Sequence, residues 1–163
     1  MRNLTLELNS LKTTEHVAGK MAEHLFPGSI MLFWGDMGSG KTTFIKSLCS
    51  GLGVLPEKVT SPTYTLVNIY KCNWYIFHVD LFRLTAPEQL YEMDRADLIA
   101  DQGVTMVEWP QMLQNYLKDE PVLNLRFKNV SDNHRRLILE TDSSEFDTLL
   151  NSMEQQNLSC GYS

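Results

Sequence analysis

The run Ser29-Ile30-Met31-Leu32-Phe33-Trp34 leads directly into Gly35-Asp36-Met37-Gly38-Ser39-Gly40-Lys41-Thr42-Thr43, and the helical spacing of Phe44, Ile45, Leu48 and Leu52 follows at once. The middle segment satisfies Gly-x-x-x-x-Gly-Lys-Thr at every fixed position, and its setting between an apolar strand and a helix is the context that gives this motif a mechanism. Its glycines let the backbone wrap around phosphate groups, so that the amide hydrogens from Gly38, Ser39, Gly40, Lys41, Thr42 and Thr43 point inward. The helix N-terminus adds its positive end. Lys41 is expected to bridge the β and γ phosphates, and the Thr42 hydroxyl to ligate Mg²⁺. The stretch therefore predicts an α/β protein that binds a nucleoside triphosphate.

The surrounding sequence supports one domain. The chain has 163 residues, of which 43% are hydrophobic, enough for a single sizeable core. No stretch is long and apolar enough to span a membrane, and Met1 to Ser10 alternates in polarity instead of forming a signal peptide, so a cytoplasmic protein is expected. Cys49, Cys72 and Cys160 are scattered, which fits a reducing compartment and excludes a disulfide framework or a structural zinc site.

Leu4, Leu6 and Leu8 alternate with polar residues as in a half-buried strand. A helix with Val17, Met21 and Leu25 on one face follows, and Thr13 or Thr14 can cap it. Thr63 to Tyr70 and Trp74 to Asp80 are β-rich and joined by only Lys71-Cys72-Asn73, a link that permits a hairpin but no parallel crossover, so the sheet must be mixed. Thr85-Ala86-Pro87-Glu88 has the form of a capping box and predicts a short helix from about Ala86 to Met93, with another over Arg95 to Ala100. Val104 to Trp109 is a buried strand, and Pro110 is expected to start a helix through Leu117. Val122 to Phe127 and Arg136 to Glu140 close the pattern as a hairpin about Ser131-Asp132-Asn133. The expected domain spans residues 1–142. The tail, residues 143–163, is partly helical and has no packing legible in its pattern.

Hydrolysis needs a carboxylate near the metal, a group that positions water, and a loop that senses the γ phosphate. Two apolar strands end in acids, at Asp80 and Glu108, and α/β sheets present such residues where ligands bind. On spacing alone either acid could serve the metal. His78 reads as a hydrogen-bonded core or rim histidine. Ser61-Pro62-Thr63-Tyr64-Thr65 gathers hydroxyls in a proline-stiffened entry to a strand, in the position of a switch segment.

GDMGSGKTT at 35–43, SPTYTLVNIY at 61–70, HVDLFRL at 78–84 and VEW at 107–109 together resemble the TsaE (formerly YjeE) family of bacterial ATPases, which serve the threonylcarbamoyladenosine modification of tRNA. The likeness runs from about Leu4 to Thr141. Ile69 stands where an acidic residue is common and Phe82 where tyrosine is usual, and neither change removes a catalytic group. The resemblance implies a three-layer phosphate-loop NTPase fold with a mixed, mostly parallel central sheet flanked by helices. It implies hydrolysis of ATP with Mg²⁺, in concert with TsaB and TsaD, and contact with tRNA only through that complex. It places the metal at Thr42 and Glu108, makes Asp80 the second acid, and puts Thr65 in the switch-like segment as a catalytic candidate beside Lys41. Trp109, next to the metal ligand, reads equally as a packed aromatic and as a contact to nucleotide or partner. The base is expected against Lys12, Thr13, Thr14 and Arg135.

A small-molecule kinase is a competing reading, but such enzymes usually close an arginine-rich lid over the second substrate, and this chain has six arginines with no long segment to form one. A nucleotide-dependent adaptor with little intrinsic hydrolysis also fits, because switch-type sites can be slow until a partner completes them.

The formal net charge is −6, and the 14 lysines and arginines are dispersed. Affinity for a phosphate backbone comes from clustered cations. The isolated chain is therefore expected to bind tRNA only weakly at physiological salt. Electrophoretic mobility shifts check this, and tight binding that survives raised salt would reveal an unrecognised cationic surface.

Overall fold

The computed structural model describes residues 1–113 and 116–160. Seven strands form one sheet in the order β1-β7-β6-β2-β5-β4-β3: β1 Arg2–Leu8, β2 Ile30–Trp34, β3 Val67–Lys71, β4 Tyr75–Asp80, β5 Gly103–Glu108, β6 Val122–Ser131 and β7 His134–Thr141. The adjacent strands β6, β2, β5 and β4 run parallel. Strand β7 opposes both β6 and β1, and β3 opposes β4, so β1 points the same way as the parallel block. The sheet is thus mixed with a parallel centre, and both expected hairpins are present.

The polarity pattern sorts each central strand between two cores. Met31 and Phe33 of β2 join the core beneath α1 (Leu11–Ala22), α2 (Lys41–Gly51) and α5 (Asp147–Cys160). Ile30 and Leu32 face the opposite way, into the core that holds Leu90 of α3 (Pro87–Tyr91) and Leu98 of α4 (Arg95–Leu98). Helices on both faces of a parallel centre make the three layers. All six residues of β5 are buried, as a strand covered on both faces requires.

Several boundaries differ from the sequence expectation for local reasons. Ser10, not Thr13 or Thr14, caps α1: its side chain accepts from the Thr13 amide at 3.1 Å while its own backbone is still extended. Strand β3 begins at Val67 because Leu66 has positive φ (69°) and its amide bonds Pro62 O at 2.7 Å, holding residues 63–66 in a turn. At α3 the capping side chain is Gln89 rather than Glu88, accepting from the Thr85 and Ala86 amides at 2.8 and 3.1 Å. After Trp109 there is one 3₁₀ turn, Pro110–Met112, where a helix through Leu117 was expected, and Gln114 and Asn115 of that expected helix lie outside the described residues.

The tail packs closely. Phe146, Leu149, Leu150 and Met153 are buried in the core shared with α1 and α2, and the Phe26 and Phe146 rings lie 5.2 Å apart. Arg2 of β1 ties this helix down through Asp147 at 3.1 Å, Asn151 at 2.5 Å and Glu154 at 3.1 Å. Among the described residues no helix is long and apolar enough to cross a membrane.

Burial on this scale makes the tail part of the domain's stability. Phe146→Ala is expected to lower the unfolding free energy by about 3–5 kcal/mol, measured by urea titration. Thr148→Ala, on the exposed face of α5 two residues further on, is expected to leave the midpoint in place.

Candidate functional site

The parallel register assembles the site. Asp80 pairs with Glu108 across β4 and β5, and Glu108 pairs with Phe33 near the end of β2, so the two acids and the glycine loop emerge side by side. On β4, Ile76 faces the α2 core, and the residues two and four further on, His78 and Asp80, share its parity. On β5, Val104 and Met106 set the same parity for Glu108. His78, Asp80, Glu108 and the start of α2 therefore meet on one face of the sheet.

The loop is shaped by glycine. Gly40 sits at φ 101° immediately before Lys41, a left-handed turn that sends the chain straight into α2 without a side-chain cap. Gly35 is fixed by contact: a Cβ there would lie 2.7 Å from Ser39 Oγ and 2.9 Å from the Phe127 carbonyl oxygen. Beneath the loop, Phe33, Phe44 and Phe127 form a ring cluster with centroids 5.4–6.3 Å apart. Buried Ser39 Oγ has no hydrogen-bond partner and lies inside the loop against Gly35.

Lys41 is buried, and its ammonium donates to Gly35 O at 2.6 Å and Asp36 O at 2.8 Å while standing 4.2 Å from the centre of the Trp109 ring. Burial holds this amine below its ordinary value, opposed by the negative charges of Glu108, Asp36 and Asp80. Trp109 reaches it because its backbone is left-handed (φ 57°, ψ 55°), and Phe82 packs against the indole at 5.0 Å. A left-handed non-glycine residue costs on the order of 1–3 kcal/mol and persists where its surroundings determine it.

Thr42 Oγ1 lies 3.0 and 2.9 Å from the two carboxylate oxygens of Glu108. His78 Nε2 contacts Glu108 Oε1 at 2.8 Å. Asp80 accepts from Thr63 Oγ1 at 2.7 Å and from the Phe82 amide at 2.9 Å. A cleft of about 280 Å³ runs over Lys41, Thr42, Ser61, Thr63, Asp80 and Glu108.

The segment Ser61 to Thr65 thus meets the site through Thr63. The structure does not bring Thr65 there: its hydroxyl donates to Asn68 Oδ1 at 2.8 Å. A second cleft, about 420 Å³, joins the loop residues Gly38, Ser39, Gly40 and Thr43 to Thr14 and Arg135, with Ser10, Phe127 and Asn133 also in its wall. Lys12 and Thr13 do not line it, since Ser10 starts the helix earlier and Thr13 turns back onto the cap, its hydroxyl 3.0 Å from Ser10 Oγ. Arg135 folds onto carbonyl groups of its own hairpin, Ser131 O at 2.7 Å and Asp132 O at 2.9 Å.

Sequence reasoning left His78 out and singled out Thr65 over Thr63. Parity along β4 carried a signal for His78, which lies two residues before Asp80 and so on the same face. Nothing in the run Ser61 to Thr65 distinguishes its hydroxyls; the turn ending at Leu66 does that.

A sheet with a parallel centre, a glycine loop entering a helix, and strand-end acids aligned against that helix define a phosphate-loop NTPase fold. The profile of the family described as threonylcarbamoyl adenosine biosynthesis protein TsaE matches residues 8–138, and the chain belongs to that family. Among curated relatives, the tRNA threonylcarbamoyladenosine biosynthesis protein TsaE of Rickettsia typhi is 31% identical over 87% of this chain and 98% of its own length. The protein of that name from Borreliella burgdorferi is 33% identical, over 78% of this chain and 93% of its own. In three dimensions the chain resembles the crystal structure of Bacillus subtilis YdiB, with a TM-score of 0.73 and 23% identity over 95% of this chain and 96% of the other, a likeness of fold.

Lys41→Ala is expected to leave a folded protein with nucleotide affinity lowered by about 10–100-fold, the weight of a charge-assisted hydrogen bond of ~1.5–3 kcal/mol. A thermal melt with a nucleotide titration checks both halves, and unchanged affinity in the folded variant would remove the phosphate-loop assignment.

Proposed function

We propose that this chain is a Mg²⁺-dependent ATPase of tRNA threonylcarbamoyladenosine biosynthesis, working in the cytoplasm with TsaB and TsaD and meeting tRNA only through them. The observation that carries the ATPase reading is the Thr42–Glu108 contact at the first turn of α2, where a hydroxyl and a carboxylate lie 2.9 Å apart beside the glycine loop. Both are hard oxygen donors, the kind Mg²⁺ takes singly or in pairs while phosphates and water fill its other positions. The loop's left-handed glycines fit an anion in the same place. Family membership supports the pathway, since the relatives' names place those proteins in it.

In this reading Thr42 and Glu108 hold the metal, which offsets charge on the phosphates. Lys41 and the amides of Gly38 to Thr43 hold the phosphate oxygens. Asp80 orients the attacking water or the metal's water shell and couples it to the switch segment through Thr63. The cleft beside Thr14 and Arg135 receives the base. The adaptor reading is favoured by one observation: Lys41 is already bonded to two loop carbonyls, so engaging a phosphate requires it to exchange partners. Slow turnover alone, raised by TsaB and TsaD, unites the two readings.

ATP turnover measured alone and with TsaB and TsaD tests the whole; no hydrolysis in either condition would overturn the ATPase reading. The two acids separate in the same assay. Glu108→Ala is expected to weaken Mg²⁺-dependent nucleotide binding by about 10–100-fold as well as turnover. Asp80→Ala is expected to lower turnover by about 100-fold or more with affinity largely kept. Metal affinity lost only in the Asp80 variant would show their roles exchanged.

A further inference from the structure

We infer that His78 is a positioning residue, the fixed hydrogen-bond donor that orients the Glu108 carboxylate for the metal. The inference rests on the reading of Glu108 as a Mg²⁺ ligand and adds to it the group that sets the ligand's geometry.

His78 is 0% exposed and Glu108 3% exposed, so neither can turn to water for a partner. A carboxylate oxygen only accepts, so the 2.8 Å contact requires the hydrogen on Nε2, which donates to Oε1. Nδ1 is buried and has no hydrogen-bond partner. With the hydrogen on Nδ1 instead, a buried N–H would be orphaned and the Nε2 lone pair would face a carboxylate oxygen. An orphaned buried donor is the rarer and costlier state. The geometry therefore selects the Nε2–H tautomer.

The other donor on Glu108 is the Thr42 hydroxyl, 3.0 Å from Oε1 and 2.9 Å from Oε2. A hydroxyl has a single hydrogen and cannot fully serve both oxygens. With Oε1 held by the imidazole, Thr42 is left to Oε2, and the carboxylate plane is fixed by two groups on different elements, β4 and α2. When the Thr42 oxygen turns a lone pair toward a cation, the bond from His78 stays in place. On this face of β4 the preceding residue is the buried Ile76; a histidine beside it incurs a desolvation cost, which its bond to Glu108 offsets. Hydrogen bonds to ligating groups from behind commonly govern metal affinity in this manner.

The test compares His78→Leu, which removes the donor, with His78→Gln, whose amide nitrogen can occupy the place of Nε2. Binding of a fluorescent ATP analogue is titrated against Mg²⁺ and repeated in EDTA, with wild type and Glu108→Ala as references and thermal melts for folding. The Mg²⁺ midpoint of His78→Leu is expected to rise by about 10–100-fold, with affinity in EDTA unchanged and most of the loss recovered in His78→Gln. If the leucine variant does not fold, His78→Asn, whose amide is too short to reach Oε1, replaces it. An unshifted midpoint, equal impairment in the glutamine variant, or an equal loss in EDTA would each overturn the inference. If instead Glu108→Ala matches wild type in Mg²⁺ dependence, the metal assignment itself fails and the inference falls with it.

Discussion

Two buried carboxylates, Asp80 and Glu108, stand in register at the ends of adjacent parallel strands, and the surrounding structure is arranged to give each its own hydrogen-bond donors. A buried charge without partners costs several kcal/mol. Each acid accordingly has its own donors: Thr42 and His78 for Glu108, Thr63 and the Phe82 amide for Asp80. Lys41 lies close enough for both acids to act on it electrostatically. These donors come from α2, β4, the segment Ser61 to Thr65 and the turn after β4. The demand for paired charge is thus what ties four separate pieces of chain to one spot.

That cluster can be held only by a rigid frame. The Phe33, Phe44 and Phe127 rings fill the space under the glycine loop, and the Phe127 carbonyl approaches Gly35 so closely that a methyl group would collide. Strand β6 therefore sets the height of the loop, although it contributes nothing charged to the site cluster. The same core continues through α1 to the buried face of α5, so the loop rests on packing that extends to the chain's last described helix.

Much of this is visible in the sequence because local rules and tertiary structure agree there. The glycine loop follows from its motif and the two hairpins from short links and alternation, while the mostly parallel centre is what the family resemblance implies. The failures share a cause: they depend on where a neighbour falls. Ser10, Thr13 and Thr14 are all competent caps, and the end of β1 decides among them. Thr63 and Thr65 carry the same hydroxyl, and the positive φ of Leu66 decides which one faces Asp80. The tail's buried apolar residues, Phe146 just before α5 and Leu149, Leu150 and Met153 on it, form too sparse a pattern to stand out among polar residues, yet they are complementary to the core they cover. His78 was legible as a buried, hydrogen-bonded residue but not as Glu108's partner, because that contact runs between strands.

The position of Lys41 bears on how the loop could work. Its amine is held by two carbonyls and the face of Trp109, contacts that keep a buried cation satisfied, while burial draws its proton affinity down and the nearby acids hold it up. Phosphate oxygens are stronger acceptors than peptide carbonyls, so an anion in the loop gives this amine a better partner without creating an unpaired charge. The exchange is uphill only by what the carbonyls and the indole lose. Trp109 belongs to that balance because its left-handed backbone directs the ring at the lysine and Phe82 braces it from the other side. Phe82 directly follows Leu81 and so lies two residues after Asp80, whose carboxylate holds both the Phe82 amide and Thr63. Lys41, Trp109, Phe82, Asp80 and Thr63 thus form one continuous line of contacts from the glycine loop to the segment Ser61 to Thr65.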